Sequence, residues 1–437
     1  MTGWIVLMFL SLILLLLLGY PVALTLGAIS MLFGTIFLGV DFFDLLPLNI
    51  WGVMTNFTLL AVPLFIFMGV ILDKSGLAED LLETMGLLFG RLRGGLALSV
   101  VVVGALLAAT TGVVGATVVT MGIIALPTML KHRYSPQLAS GTIAAAGTLG
   151  QIIPPSIILI LLGDIMGVPV GRLFIGAVVP GMLLVILFSV YIVIVAWLKP
   201  EIAPALANDK QERMLGKIIF VLVPPLALVI AVLGSIFFGI ASPTESAAVG
   251  ALGAMILASL HNKLTLKNLR ESMQLTTRLT CMVFLILIGA TAFGLVFRGM
   301  GGDDIVLELM TGLPGGMGGF LLISMLLIFT LGFFLDFLQI CFIVVPILTP
   351  IAKLLQVDPL WFAVMIALNL QTSFLTPPFG FSLFYLKAVA PAAVRIRDIY
   401  EGIIPFVSIQ VLGIILLFLF PGIVLWLPNL MDKLHGL

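Results

Sequence analysis

The chain has 437 residues, of which 62% are hydrophobic and 9% charged, and its 20 basic and 20 acidic residues cancel to zero net charge. A mean hydropathy of +1.31 places it in lipid, because soluble domains carry roughly 25% charged residues. The balance excludes a global field that would draw in nucleic acid, and Cys281, Cys341 and the dispersed His132, His261 and His435 suggest neither a disulfide framework nor a zinc site.

A membrane-spanning helix needs about 20 apolar residues. Crossings are expected at 3–18, 21–39 and 50–72. The first run has no basic leader or small-residue cleavage site, so it is read as a retained helix and not as a signal peptide. Segment 76–91 is amphipathic and too charged to cross. The apolar stretch 95–129 is broken at Thr110-Thr111-Gly112, leaving arms of about 15 and 17 residues, which favours a re-entrant hairpin over two crossings. A broken helix over 136–165 and a crossing at 172–198 complete a first half, 1–198. Residues 199–216 form a polar cytoplasmic connector. The second half, 217–437, repeats the plan: crossings at 217–237, 243–260 and 274–299, an acidic arm at 302–312, a hairpin at 318–353, a broken helix at 359–389 and a crossing at 398–427.

The halves are related in sequence. Pro154-Pro155 and Pro377-Pro378 lie 223 positions apart, as do Pro127 and Pro350, and Pro136 and Pro359. Gly94-Gly95 returns as Gly318-Gly319, and residues 171–180 resemble 396–405. A colinear series of this kind is a duplication. Each half has an odd number of net crossings, which inverts the second repeat relative to the first. With the termini outside, Lys and Arg gather on the cytoplasmic side, from Lys74, Arg91 and Arg93 to Lys387, Arg395 and Arg397. Arg172, Arg298, Lys353 and Lys433 stay outside, and Arg278 lies near a helix end. Such a bias sets orientation. The expected fold is an all-α polytopic membrane protein of two inverted repeats, each with a re-entrant hairpin and an interrupted helix.

Tandem proline removes donors and clashes with the preceding turn, leaving carbonyls open in Gly147–Ile153. At membrane depth, open backbone survives only buried in protein or lining a cavity. A half-helix ending there offers carbonyl oxygens to a cation, and one starting at Ser156 or Phe379 offers amides to a carboxylate. The hairpin tips, Thr110-Thr111 and Gly332 to Asp336, add hydroxyl and carbonyl oxygens, which suit a hard ion such as Na⁺ better than a transition metal. Candidate solute contacts are the polar residues at the breaks, Gln151, Ser156, Gln371 and Thr372, with Asp336 at the second tip. Asp164 reads as a solvated helix end, Glu245 as a first-turn acid complementing a helix dipole, and Arg278 and Arg298 as snorkelling residues.

Four segments carry a family resemblance: Ala61-Val62-Pro63-Leu64-Phe65, Ser242-Pro243-Thr244-Glu245-Ser246-Ala247-Ala248, Gly332-Phe333-Phe334-Leu335-Asp336, and Asn369 through Gly380 with its Pro377-Pro378. Over essentially its whole length the chain resembles the large membrane subunit of tripartite ATP-independent periplasmic (TRAP) transporters. The resemblance implies Na⁺-driven uptake of small organic anions, usually carboxylates, across a bacterial or archaeal inner membrane. It implies two partners, a periplasmic substrate-binding protein and a small four-helix membrane subunit, here expected as a separate chain. It also implies a fixed scaffold with an elevator-type transport domain of two hairpins and two broken helices, the arms 76–91 and 302–312 connecting them. One Na⁺ site would use the first tip, Thr110 and Thr111, with Gly150, Ile153 and Pro155. The other would use Gly332 with Ser373, Thr376 and Phe379. No organic cofactor is implied.

Rival readings are weaker. An intramembrane aspartyl protease would use Asp164 and Asp336 as its carboxylate pair, but Leu161-Leu162-Gly163-Asp164 lacks the additional glycine such enzymes carry, and no HExxH or serine-elbow motif is present. A channel or a carrier independent of a binding protein could use the same tips, but filters are normally built from several identical subunits, and duplication within one chain favours alternating access.

Overall fold

Gly19, at φ +85°, and Pro21 end the first apolar run, since one adopts a left-handed turn and the other cannot donate to continue a helix. Helices Thr2–Leu17 and Val22–Phe37 form on either side. The computed structural model describes residues 2–111, 114–205, 214–312, 314–377 and 380–434, and every regular element among them is helical. Among the described residues, six helices are long and apolar enough to cross a membrane, or seven counting one bent pair. Leu10, Leu14 and Leu17 stay exposed while Ile5, Met8 and Leu12 are buried, so the first helix shows lipid one face and packs the other.

The centre of the molecule is built from helices Pro136–Thr148 and Pro359–Leu375. Every residue from Leu138 to Thr148 and from Leu360 to Leu375 is buried, as expected of helices surrounded by protein. Helices Val170–Leu198 and Ile396–Leu419 pack against them. Ser135 and Asp358 cap the two central helices, accepting from Leu138 N at 3.1 Å and Trp361 N at 3.0 Å, each just before a first-turn proline. Helix 136–148 crosses helix 396–419 backbone to backbone: a Cβ on Gly141 would fall onto the Gly402 carbonyl. Small residues permit such approach in membranes. Gly141→Ala is therefore expected to destabilise the protein by roughly 1–3 kcal/mol through overpacking, seen as a lowered unfolding midpoint in detergent. An unchanged midpoint would show that this crossing opens freely.

A second bundle surrounds helix Ala61–Lys74, against which Pro243–Leu260 and Leu266–Gly299 lie. Met68 fills the space left by Gly250, and Lys74 pairs with Glu271 at 2.5 Å. Ser242 and Glu245 form a capping box, with Glu245 Oε2 accepting from Ser242 N at 2.7 Å, so Glu245 does act as a first-turn acid.

Several segments differ from the sequence expectation. The crossing expected at 50–72 is bent by 57° between Val40–Met54 and Thr58–Lys74. Asn56 causes the break, because its side-chain oxygen accepts from Thr58 N at 2.9 Å and starts a new helix. The crossing expected at 398–427 ends at Leu419, where Pro421 forces Phe420 out of helical geometry, to φ −127° and ψ 73°, and a separate helix, Gly422–Leu434, follows. The helix expected at 274–299 begins earlier, at Leu266. A third double proline, Pro224-Pro225, lies inside the unbroken helix Met214–Phe237. Its flanks, Val-Leu-Val and Leu-Ala-Leu, carry no polar group to satisfy an opened turn, so the chain stays helical and tandem proline alone does not make a break. The arms form as Leu77–Phe89 and Gly302–Thr311, each entered through a left-handed glycine, Gly76 and Gly301.

Candidate functional site

The first hairpin consists of helices Gly95–Thr111 and Val114–Lys131. The second consists of Gly316–Leu331 and a return arm that begins at Phe337, passes through a π-helical turn, Ile340–Val344, and ends as Val345–Leu354. A π turn inside a helix often marks a functional region. Between the hairpins lie the two breaks.

In the first break, helix 136–148 tightens into a 3-10 turn at Leu149–Gln151, and Ile153 N donates to Leu149 O at 2.9 Å. A cis bond joins Pro154 to Pro155. Ser156 is extended and its hydroxyl donates to Gln151 O at 2.7 Å before the half-helix Ile157–Met166 starts. In the second break, Thr376 is extended at φ −94° and ψ 127°, and the half-helix Phe381–Val389 follows. The hydroxyls of Thr372, Ser373 and Thr376 donate back to Leu368 O, Leu370 O and Thr372 O at 2.8–2.9 Å. Each oxygen thus keeps acceptor lone pairs free for a cation.

The breaks touch each other. Gln371 Nε2 donates to Thr148 Oγ1 at 3.2 Å, across a separation of 223 residues, the spacing that relates the proline pairs. Gln151 is fully buried and neither of its amide atoms has a partner, and Gln371 Oε1 is likewise buried and unpaired among the described residues. Leaving such a group unpaired costs about 1–3 kcal/mol, so these two amides mark a place where a polar ligand would be stabilising. Thr148 was not singled out in the sequence, although its position 223 residues before Gln371 is a signal that could have found it.

Each hairpin tip meets its own break. A Cβ on Gly150 would lie 3.3 Å from Ala108 Cα, and a Cβ on Gly332 would strike the Ser373 hydroxyl. Gly150 and Ser373 stand at the repeat spacing of 223 residues. The second tip is sealed by rings, with Phe374 5.9 Å from Phe337 and 5.1 Å from Phe381. The return arm of the first hairpin also rests on the second half-helix, where a Cβ on Gly115 would meet the Tyr385 ring at 3.2 Å.

Of the residues singled out from the sequence, Gly150, Gln151, Ile153, Pro155 and Ser156 lie on the first break and Gln371, Thr372, Ser373 and Thr376 on the second, and of these Gln371 bonds Thr148 across the two. Gly332 contacts the second. The side chains of Thr110 and Thr111, and all of Phe379, fall outside the described residues. Asp336 is not brought to the central amides by any bond: its carboxylate accepts from Phe337 N at 2.7 Å and caps the hairpin's return arm. Asp164 is not a free solvated end either. It accepts from Asn56 Nδ2 at 2.5 Å, tying the first half-helix to the bend of the outer bundle. Thr120 Oγ1 donates to Asp73 Oδ1 at 2.9 Å at the other end of that same span. The outer span is therefore held by the first half-helix at one end and the first hairpin at the other.

A family model described as the DctM component of the tripartite ATP-independent periplasmic transporter matches residues 9–423. The chain belongs to this family. It is similar to the C4-dicarboxylate TRAP transporter large permease protein DctM of Vibrio cholerae, at 30% identity over 98% of both chains. It is also similar to the sialic acid TRAP transporter large permease protein SiaM of the same species, at 30% over 87% of this chain and 88% of the relative. The ectoine TRAP transporter large permease protein TeaC of Halomonas elongata is 29% identical over 95% and 97%. In fold the chain resembles the crystal structure of the Alcanivorax borkumensis YdaH transporter, with a TM-score of 0.66, covering 94% of this chain and 98% of that one at 15% identity. As a TRAP large permease, this chain is a multi-pass membrane transporter and not an enzyme. Membership also implies a small membrane subunit and a periplasmic binding protein as partners.

Proposed function

We propose that the chain performs Na⁺-coupled secondary uptake of a small organic carboxylate in a bacterial or archaeal inner membrane, with both termini on the outer side. A periplasmic binding protein hands over the solute, and a small four-helix membrane subunit completes the transporter. The observation that carries this reading is the meeting of the two breaks through Gln371 and Thr148, beside the unpaired amide of Gln151. Amide donors there can hold a carboxylate, and Gln oxygens can accept from a hydroxyl on the same solute.

Sodium has suitable donors beside it. Thr372, Ser373 and Thr376 present hydroxyl oxygens whose protons are already committed to backbone carbonyls, and Gly150, Ile153 and Pro155 line the opened backbone of the first break. A hard monovalent ion matches such neutral oxygens. Docking of each tip on its break then depends on the ion, and movement of hairpins and half-helices as one body carries the site between the two faces. Coupling follows if Na⁺ binds the loaded, docked state more tightly than the empty one.

The test is uptake of a panel of radiolabelled carboxylates into proteoliposomes containing the chain, its small subunit and its binding protein. Accumulation is expected only with an inward Na⁺ gradient and the binding protein present. Equal uptake without either would replace this reading with a carrier or channel independent of a binding protein. Thr376→Ala is expected to raise the Na⁺ concentration for half-maximal uptake severalfold with little effect on expression. Unchanged Na⁺ activation would remove Thr376 from the ion site.

A further inference from the structure

Two adjoining cavities lie away from the breaks, where the second hairpin meets the outer bundle. The larger, about 310 Å³, has an entirely apolar wall drawn from the first helix (Leu12, Leu16), the second arm (Leu309, Met310) and the second hairpin (Leu331, Leu348). The smaller, about 120 Å³, is lined by helix 266–299, the second arm and the same hairpin, and contains Thr291, Arg298 and Asp303. Ile343 and Ile347 line both. Phe9 lines the first and packs edge-on against Phe293 and Phe297 of the second, at 5.3 and 5.4 Å. An apolar chamber thus adjoins one with a polar rim.

The depth of that rim follows from the sequence. Between Arg278 and Arg298, helix 266–299 carries no charged residue. The 19 residues of this interval would span about 28 Å, close to the roughly 30 Å of hydrocarbon in a bilayer. Arg298 therefore sits at the hydrocarbon boundary, where lipid phosphates lie. Asp303 shares the cavity with Arg298, yet the two do not close to an ion pair among the described residues. Burial pushes the Asp303 carboxyl above its usual range, with Arg298 opposing the shift. A cation and an anion facing one small cavity complement a head group bearing both charges.

We propose that this pair of cavities binds one zwitterionic phospholipid with a primary ammonium head, its phosphate on Arg298, its ammonium on Asp303 and an acyl chain in the chamber between the first helix, the second arm and the second hairpin. Arginine's planar fork suits phosphate. A carboxylate accepts hydrogen bonds from an ammonium, which a trimethylated choline head cannot donate. The chamber offers no polar atom that would favour a soluble ligand over a hydrocarbon chain. A lipid here fills the crevice between a hairpin and the bundle it packs on, a space that an unfilled wall would leave as lost contact.

The test is native mass spectrometry of the detergent-purified chain titrated with phosphatidylethanolamine, phosphatidylcholine or phosphatidylglycerol of matched chains. One phosphatidylethanolamine is expected to be retained about tenfold better than either alternative. Asp303→Asn should abolish the preference over phosphatidylcholine, Arg298→Gln should weaken retention of all three, and Leu331→Trp, which fills the chamber, should do the same. Leu12→Phe, a smaller filling change, guards against misfolding of the Trp variant, and both must remain monodisperse to be scored. Retention blind to head group, or unaltered by Asp303→Asn and by chamber filling, overturns the proposal. So does displacement of the lipid by the small membrane subunit together with loss of subunit co-purification in the chamber variants, which would make this face a protein interface.

Discussion

Gly332→Ala is expected to lower uptake about tenfold or more while leaving expression intact. The added methyl would strike the Ser373 hydroxyl at the point where the second hairpin tip docks on its break. Overpacking of this kind costs roughly 1–3 kcal/mol, and about 1.4 kcal/mol is a factor of ten. In the proposed cycle the tip leaves its break, so the cost is expected to fall on the docked arrangement and to shift the population away from it without unfolding the protein. A second substitution separates packing from ion binding. In the first half of the chain the corresponding contact is between Ala108 and Gly150, so Gly332→Ala combined with Ser373→Gly recreates in the second half the pairing the first already uses. The maximal rate should largely recover in the double variant. If Ser373 supplies an oxygen to Na⁺, half-saturation by Na⁺ should stay severalfold high. Recovery of the rate with unaltered Na⁺ dependence would leave Ser373 as packing only, and absence of any recovery would refute the proposed equivalence of the two contacts.

Gln151→Leu should have opposite effects on stability and on transport. The wild-type amide is fully buried with no partner for either polar atom among the described residues, and replacing such a group by an apolar one of similar size relieves about 1–3 kcal/mol. The unfolding midpoint of the substrate-free protein is therefore expected to rise. Uptake is expected to fall by about a hundredfold, the cost of one to two charge-assisted hydrogen bonds to a carboxylate at 1.5–3 kcal/mol each. Sites built for ligands often carry this trade-off. A Gln151→Leu protein that is more stable and still transports normally would show that the amide is not part of the solute site. Gln371→Leu provides the contrast. Gln371 Nε2 already bonds Thr148 Oγ1 at 3.2 Å, so its loss removes a contact between the two halves of the chain and should bring no gain in stability.

Composition and the apolar pattern are enough to specify the class and the helical content. Low charge and high hydropathy leave only lipid as solvent, and in lipid every span must satisfy its own backbone. Thr110-Thr111 and the polar residues before Pro154-Pro155 and Pro377-Pro378 mark by local chemistry where helices end, at Thr111, Thr148 and Leu375, although the return arms Val114–Lys131 and Phe337–Leu354 are themselves long and apolar enough to span a membrane. Long-range packing settles what local chemistry leaves open. Pro224-Pro225 repeats the double proline and yet stays helical, because its flanks bring no polar group to an opened carbonyl, whereas at the first break Ser156 bonds Gln151 O. The bend at Asn56 and the stop at Phe420-Pro421 came from single side-chain bonds and backbone clashes, too local to register in a count of apolar residues. Asp164 and Asp336 read alike as carboxylates in apolar segments. Folding gives one to Asn56 and the other to the Phe337 amide, since a buried carboxylate takes whatever donor the fold brings within reach. The bond between Gln371 and Thr148 joins residues from separate halves of the chain, and only the packing of the two central helices side by side brings them together.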